Sequence, residues 1–163
     1  MEPVSEWIHH RFPAVRSLGT DAVEQLLRED RERLLLLDVR SPAEYEVSHL
    51  EGAVRVDPET TDMEQVVREL GPAAGSSDRA LVCYCTTGFH ASQMAQKLCE
   101  FFGRDSGPSV PGTLKVYNLD GGFLKWNKEG KPMVGSSNQL TRQVHPYSQL
   151  WEQLLEADFR PPV

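Results

Sequence analysis

Two apolar runs interrupt a mostly polar chain: Leu34-Leu35-Leu36-Leu37-Asp38-Val39 and Ala80-Leu81-Val82-Cys83-Tyr84-Cys85. Continuous apolar stretches this short fit strands buried on both faces. Behind the second run, Ala91, Met94, Ala95, Leu98, Phe101 and Phe102 recur at helical spacing, so strand, tight loop and helix are expected in succession, with Gly103 ending the helix. Leu114 to Leu119 predicts a third strand and Val54 to Val56 a shorter one. Other helices are expected from Thr20 or Asp21, as N-cap, to about Asp30, from about Thr61 or Asp62 to Leu70, and from about Phe123 to Glu129. Pro42 opens a helical turn through Tyr45. The Gly-, Pro- and Ser-rich stretches Gly71 to Arg79 and Gly103 to Thr113 read as loops.

Strands alternating with helices place the chain in the α/β class, with right-handed crossovers and a mostly parallel central sheet flanked by helices. Ligands in such folds sit beyond the carboxyl ends of the strands. The 163 residues have room for one full core. After Pro132 the chain turns polar, and His145-Pro146 starts an amphipathic stretch carrying Leu150, Trp151, Leu154 and Leu155, expected to lie against its own domain, with docking to a partner as the alternative.

Charge narrows the choice of partners. Seventeen Lys and Arg against 24 Asp and Glu leave −7, with no basic block, which argues against nucleic acid. No apolar run approaches the ~20 residues a membrane span needs, so no membrane partner is expected. The segment Met1 to Glu6 lacks a targeting pattern, and a cytoplasmic location is expected. Three cysteines, two of them flanking a single residue, suggest reduced thiols rather than a disulfide framework, and C-x-C spacing with scattered histidines gives no reason to expect a metal. Nothing demands more than a monomer.

The segment Cys85-Thr86-Thr87-Gly88-Phe89-His90 puts a thiol at the tip of a buried strand, just before a helix. Backbone N–H groups there have no intrahelical partner, and several curling around one point form an anion site reinforced by the helix dipole. A thiol so placed should ionise more readily, from about 8.5 toward ~7 or lower, and act as a nucleophile. The alternative is that Cys85 is a small buried residue. Cys83 reads as core, or as a resolving thiol at ~6.6 Å along the strand. Cys99 reads as packing.

Three motifs in register resemble the single-domain rhodanese-like sulfurtransferases: Asp38-Val39-Arg40 with Glu44-Tyr45 and His49-Leu50-Glu51-Gly52-Ala53; the loop Cys85 to His90; and Val116 to Gly122 with Trp126. The resemblance implies a rhodanese-like three-layer fold over residues 15–134, with an N-terminal extension 1–14 and a C-terminal tail 135–163 carrying a short amphipathic helix. It implies a persulfide on Cys85, charged by thiosulfate or a related donor and discharged to cyanide or a thiol. Thr86, Thr87, Gly88, Phe89 and His90 would cradle the sulfur, and Asp38, Arg40, Glu44, His49, Gly121 and Gly122 would form the framework. No cofactor is implied, because the sulfur rides on the cysteine. The partners would be a small-molecule sulfur donor, a thiol or cyanide acceptor, and a protein thiol.

Two loop positions depart from the family pattern, with His90 where Arg is usual and Ala91 where Ser or Thr is usual. Ser48 replaces a common Gly. A His with an ordinary pKa of about 6.5 is mostly neutral at pH 7, so thiosulfate capture should be weaker and improve as pH falls. A catalytically weak interaction module is therefore the alternative function. A phosphatase or arsenate reductase is disfavoured, since the next Arg after Cys85 is Arg104, beyond the helix.

Overall fold

The computed structural model describes residues 2–13, 15–70, 80–104, 115–135 and 139–141. Five strands, β1 (Arg16–Leu18), β2 (Leu34–Asp38), β3 (Val54–Arg55), β4 (Ala80–Tyr84) and β5 (Lys115–Leu119), form one sheet in the order β1-β5-β4-β2-β3, every neighbouring pair parallel. The helices are α1 (Glu2–Arg11), α2 (Thr20–Glu29), α3 (Pro42–Val47), α4 (Met63–Leu70), α5 (Phe89–Arg104) and α6 (Gly122–Lys128). A two-stranded antiparallel unit, β6 (Met133–Val134) and β7 (Leu140–Thr141), follows. This is the mixed α/β architecture with a parallel central sheet that the alternation predicted.

The period of two along each strand sorts side chains into two cores. Leu37, Leu81, Cys83 and Val116 face Val66 and Leu70 of α4 and Met94 and Leu98 of α5. Leu34, Leu36, Val82, Tyr84 and Leu119 face Val23 of α2 and Phe123 and Trp126 of α6. Each such aliphatic or aromatic side chain, fully buried, contributes roughly 1.5 to 3 kcal/mol, which is why the two apolar runs form central strands. A third cluster joins Ile8 and Phe12 to Leu124.

Strand order reverses between β2 and β4: the chain leaves β2 for β3 on one side, and leaves β4 for β5 on the other. Such a reversal opens a crevice at the carboxyl ends. Asp38 pairs in register with Tyr84, so the end of β2 and the start of the Cys85 loop lie side by side.

Several boundaries differ from expectation. Gly19, in extended backbone, is the N-cap of α2 rather than Thr20 or Asp21; the Thr20 hydroxyl instead donates to the Glu129 carboxylate just past α6. The turn at Pro42 runs on to Val47, because Ser41 and Glu44 form a reciprocal capping box that starts a true helix. Helix α5 passes through Gly103 to Arg104, since a single glycine costs a helix only about 1 kcal/mol. Strands β1, β6 and β7 and helix α1 had no sequence signal. The predicted loops at 71–79 and 105–113, Leu114, and the amphipathic stretch around Trp151 lie outside the described residues. None of the described helices is long and apolar enough to cross a membrane.

Candidate active site

Between the end of β4 at Tyr84 and the start of α5 at Phe89, the chain wraps around one sulfur atom. The Cys85 Sγ accepts the Gly88 N–H at 3.0 Å and the Ala91 N–H at 3.4 Å. Gly88 makes this wrap with φ at 108°, a conformation that L side chains rarely adopt. The helix then starts, with Ser92 N–H on the Gly88 carbonyl at 2.9 Å. The amides that an α-helix leaves unpaired at its N-terminus thus converge on the thiol.

Cys85 is 2% exposed, and burial pushes its pKa up; the amides of Ala91, Gly88, Thr87 and His90 pull it down by less. The expected net depression toward 7 does not hold, because desolvation of a thiolate at this depth outweighs the four dipoles. Negative charge on sulfur is nonetheless best tolerated here, since those donors already point at it.

The loop's outer edge is fixed by the turn after β5. Phe123 N–H donates to the Cys85 carbonyl at 2.8 Å and Leu124 N–H to the Thr86 carbonyl at 3.1 Å. A Cβ on Gly122 would fall 2.5 Å from the Thr86 carbonyl oxygen, at φ of 66°, so the close approach admits only glycine. Gly121 supplies the preceding left-handed residue, with φ of 81°.

Below the loop, Arg40 grips Asp38 with both ends of its fork, Nε to Oδ1 at 2.9 Å and Nη2 to Oδ2 at 2.8 Å, and also donates to the Ser48 carbonyl at 2.6 Å. Its guanidinium lies 4.3 Å from the Phe123 ring centroid. Burial opposes the Arg40 charge, but the Asp38 carboxylate overcomes this and raises its pKa above the ordinary value. The Tyr84 hydroxyl donates to Asp38 Oδ2 at 2.7 Å and accepts the Leu50 N–H at 3.0 Å. Ser48 is extended at φ −164°, a backbone that needs no glycine, which accounts for the tolerated departure there.

Glu44 stands in a separate arrangement: Oε1 closes the Ser41 cap, and Oε2 accepts the Thr86 hydroxyl at 3.0 Å, tying α3 to the loop. His49 does not join the ion pair. Its Nδ1 lies 2.7 Å from the Tyr45 carbonyl, its ring stacks on Tyr45, and its backbone bridges to Val134.

Thr87 is half-buried, with its hydroxyl accepting the Phe89 N–H at 3.4 Å, and His90 stands exposed at the mouth. Burial by surrounding protein pushes the His90 pKa below its ordinary 6.5, against the pull of Glu44 and Glu59, so the imidazole is neutral at pH 7. Cys83 is fully buried in the core, and burial drives its pKa far up. Cys99 is exposed on α5, not packed as expected, because it falls beside rather than within the helix's buried stripe.

Several site residues escaped sequence reasoning. Tyr84 reads as strand core in the sequence, and its hydroxyl beside the Cys85 position is the signal of its second role. Asn118 on β5 is 2% exposed and brings its carboxamide to 3.4 Å from where a Gly88 Cβ would stand. Trp7 and Ile8 of α1, and Phe12 just past its end, reach the same loop: Trp7 stacks on Phe89 at 5.4 Å between centroids, and Phe12 meets it edge-on at 5.5 Å.

The sequence pattern of the rhodanese-like domain family matches residues 20–129. A tRNA uridine(34) hydroxylase of Yersinia pestis (strain Pestoides F) is 27% identical over 114 residues, which is 70% of this chain and 28% of that protein. The chain thus spans under a third of the length of the curated relatives it matches. Among solved structures, a thiosulfate sulfurtransferase from Pseudomonas aeruginosa superposes with a TM-score of 0.58 at 18% identity, covering 90% of this chain and 25% of that one. An As-Sb reductase from Leishmania major gives 0.58 at 16% identity, covering 78% of this chain and 92% of that one. These two likenesses show the fold.

Proposed function

Starting from the fact that the chain belongs to the rhodanese-like domain family, we propose that it is a sulfurtransferase that carries a sulfane sulfur as a persulfide on Cys85. The observation that carries this reading is the convergence of the Gly88 and Ala91 N–H groups on Cys85 Sγ. The Cys85 thiolate attacks the outer sulfur of thiosulfate or a related donor; an S–S bond forms, and sulfite leaves with the electron pair of the donor's broken S–S bond. An acceptor such as cyanide or a thiolate then attacks the outer sulfur, and Cys85 departs as thiolate. The proton released on forming the thiolate goes to solvent, and the loop amides stabilise the anionic sulfur in both steps.

The donor is a small molecule and the acceptor a thiol, cyanide or a protein thiol; the net charge of −7 argues against the tRNA named for the longer relatives. In this reading no resident cofactor is needed, because the transferred sulfur rides on Cys85. We take the protein to be a cytoplasmic monomer.

A second reading, a weak or silent interaction module, draws support from the neutral His90 at a position where a fixed cation would hold an anionic donor. Intact-protein mass after incubation with thiosulfate, followed by cyanide, separates the two. Uptake of one sulfur by wild type but not by Cys85→Ser, with release as thiocyanate, supports the enzyme. No adduct with thiosulfate or a thiol persulfide, from pH 5.5 to 8.5, would leave the module reading.

A further inference from the structure

Helix α1 lies outside the family-matched segment 20–129, yet it is packed on the very loop that surrounds Cys85. Four residues, three in the helix and Phe12 just past it, make the joint. Trp7 stacks on Phe89 with 16° between the ring planes, and Phe12 packs edge-on against the same ring. Ile8, 2% exposed, brings its Cδ1 to 3.6 Å from the position a Gly88 Cβ would take. His9 Nε2 reaches Asp120 Oδ1 at 3.5 Å and Ser17 Oγ at 3.0 Å, fastening the helix to the end of β5 and to β1.

Gly88 and Phe89 are the residues on which the Trp7, Ile8 and Phe12 contacts converge. Gly88 donates the shorter of the two amide bonds to Cys85 Sγ, and it has no side chain of its own to hold its backbone in place. The left-handed turn at Gly88 is also the most permissive point of the loop. The far side of the loop is held by Phe123 N–H, Leu124 N–H and Glu44, so α1 supplies what the other elements leave open.

We propose that Trp7 and Ile8 are positioning residues: through Phe89 and Gly88, α1 holds the loop amides on the Cys85 sulfur. The proposal rests on Cys85 as the reacting thiol. Its test reads the thiol directly and therefore stands apart from whether sulfur transfer occurs.

The experiment follows alkylation of the full chain by iodoacetamide across pH 6.5 to 9.5, scored by mass on the Cys85 peptide, with the exposed Cys99 as internal control. Variants are Trp7→Ala, Trp7→Phe and Ile8→Val, the last removing only the methyl that faces Gly88. The charged groups around the loop, Glu44, Glu59, His90 and Lys97, are unchanged in all three. Displaced amides raise the apparent pKa of Cys85, so Trp7→Ala should react about three- to tenfold more slowly at pH 7.5, with its profile shifted to higher pH. Trp7→Phe should restore the wild-type profile and Cys99 should not change. Circular dichroism reports the fold; if Trp7→Ala does not fold, Ile8→Val is read in the same way. An unchanged Cys85 profile in a folded variant would overturn the proposal. A faster reaction would also overturn it, showing α1 to be a cover rather than a brace. Sulfur uptake measured on the same samples distinguishes failure of the sulfurtransferase reading, which would show as no uptake by wild type.

Discussion

Cys83 and Cys85 lie on the same face of one strand region, two residues apart, and both are buried against the same core. Burial raises the pKa of each. Cys83 packs within the apolar cluster, whereas Cys85 sits one residue past the last ladder position and accepts the Gly88 and Ala91 N–H groups, with the Thr87 and His90 amides also pulling its pKa down. The difference between an inert thiol and a candidate nucleophile is therefore made by where the strand stops and the helix starts, not by exposure. Donor groups that β4 would have spent on its neighbours and α5 on itself are left to a single atom.

The contrast should break most completely when the platform beneath both thiols is lost. Asp38→Asn leaves Arg40 buried without its counter-charge, and we expect a loss of about 3 to 5 kcal/mol in urea unfolding, with both thiols becoming open to alkylation. A melting curve matching wild type would show that the pair does not hold the platform. Gly122→Ala should act on Cys85 alone. Its Cβ collides with the Thr86 carbonyl, and displacement of the loop by a fraction of an ångström should slow sulfur uptake on the order of a hundredfold while Cys83 stays silent. Uptake at the wild-type rate would mean that the loop has slack the close contact does not suggest.

Smaller effects sharpen the contrast. With its pKa raised, Cys85 holds little thiolate at neutrality, so its alkylation rate should climb about tenfold per pH unit between 7 and 8.5, with Cys83 unreactive throughout. A rate already flat at pH 7.5 would place the thiol's pKa lower than burial dictates. The least effect is expected at the mouth. His90→Arg supplies the fixed charge and should lower the thiosulfate KM severalfold at pH 7.5. Wild type should gain affinity only below about pH 6.5, where its imidazole takes a proton, and the variant should lose that dependence. Equal KM values for the two proteins would remove His90 from donor capture.

The parts of the fold that the sequence disclosed are those whose apolar period is long. Leu34 to Leu37, Ala80 to Tyr84 and the stripe from Ala91 to Phe101 each carry enough repeats to fix type and approximate bounds. The Cys85 loop was legible because its orphan amides follow from the strand-to-helix junction itself. Three-residue β1 and two-residue β6 and β7 are too short to show any period. Helix α1 has a weak apolar face, and its burial is decided by Phe89, far along the chain. The pKa of Cys85 departs from expectation for a related reason: the dipoles can be counted from the junction, but the desolvation they work against depends on packing from distant segments. The Tyr84 to Asp38 bond, 46 residues apart in sequence, likewise lies beyond local reading, whereas the Ser41-Pro42-Ala43-Glu44 capping box is legible in the sequence itself.

Strand β1 enters the sheet beside β5, with Arg16 opposite Tyr117. A pairing of that span closes a loop of about a hundred residues, and such closures come late because their entropy must be met before contacts repay it. During synthesis on the ribosome, β2 to β4 can pair while β1 and the helix ahead of it wait for β5 to emerge. The residues made ahead of β2 are thus set in place after β4, and the sulfur's surroundings are finished only once β5 has left the tunnel.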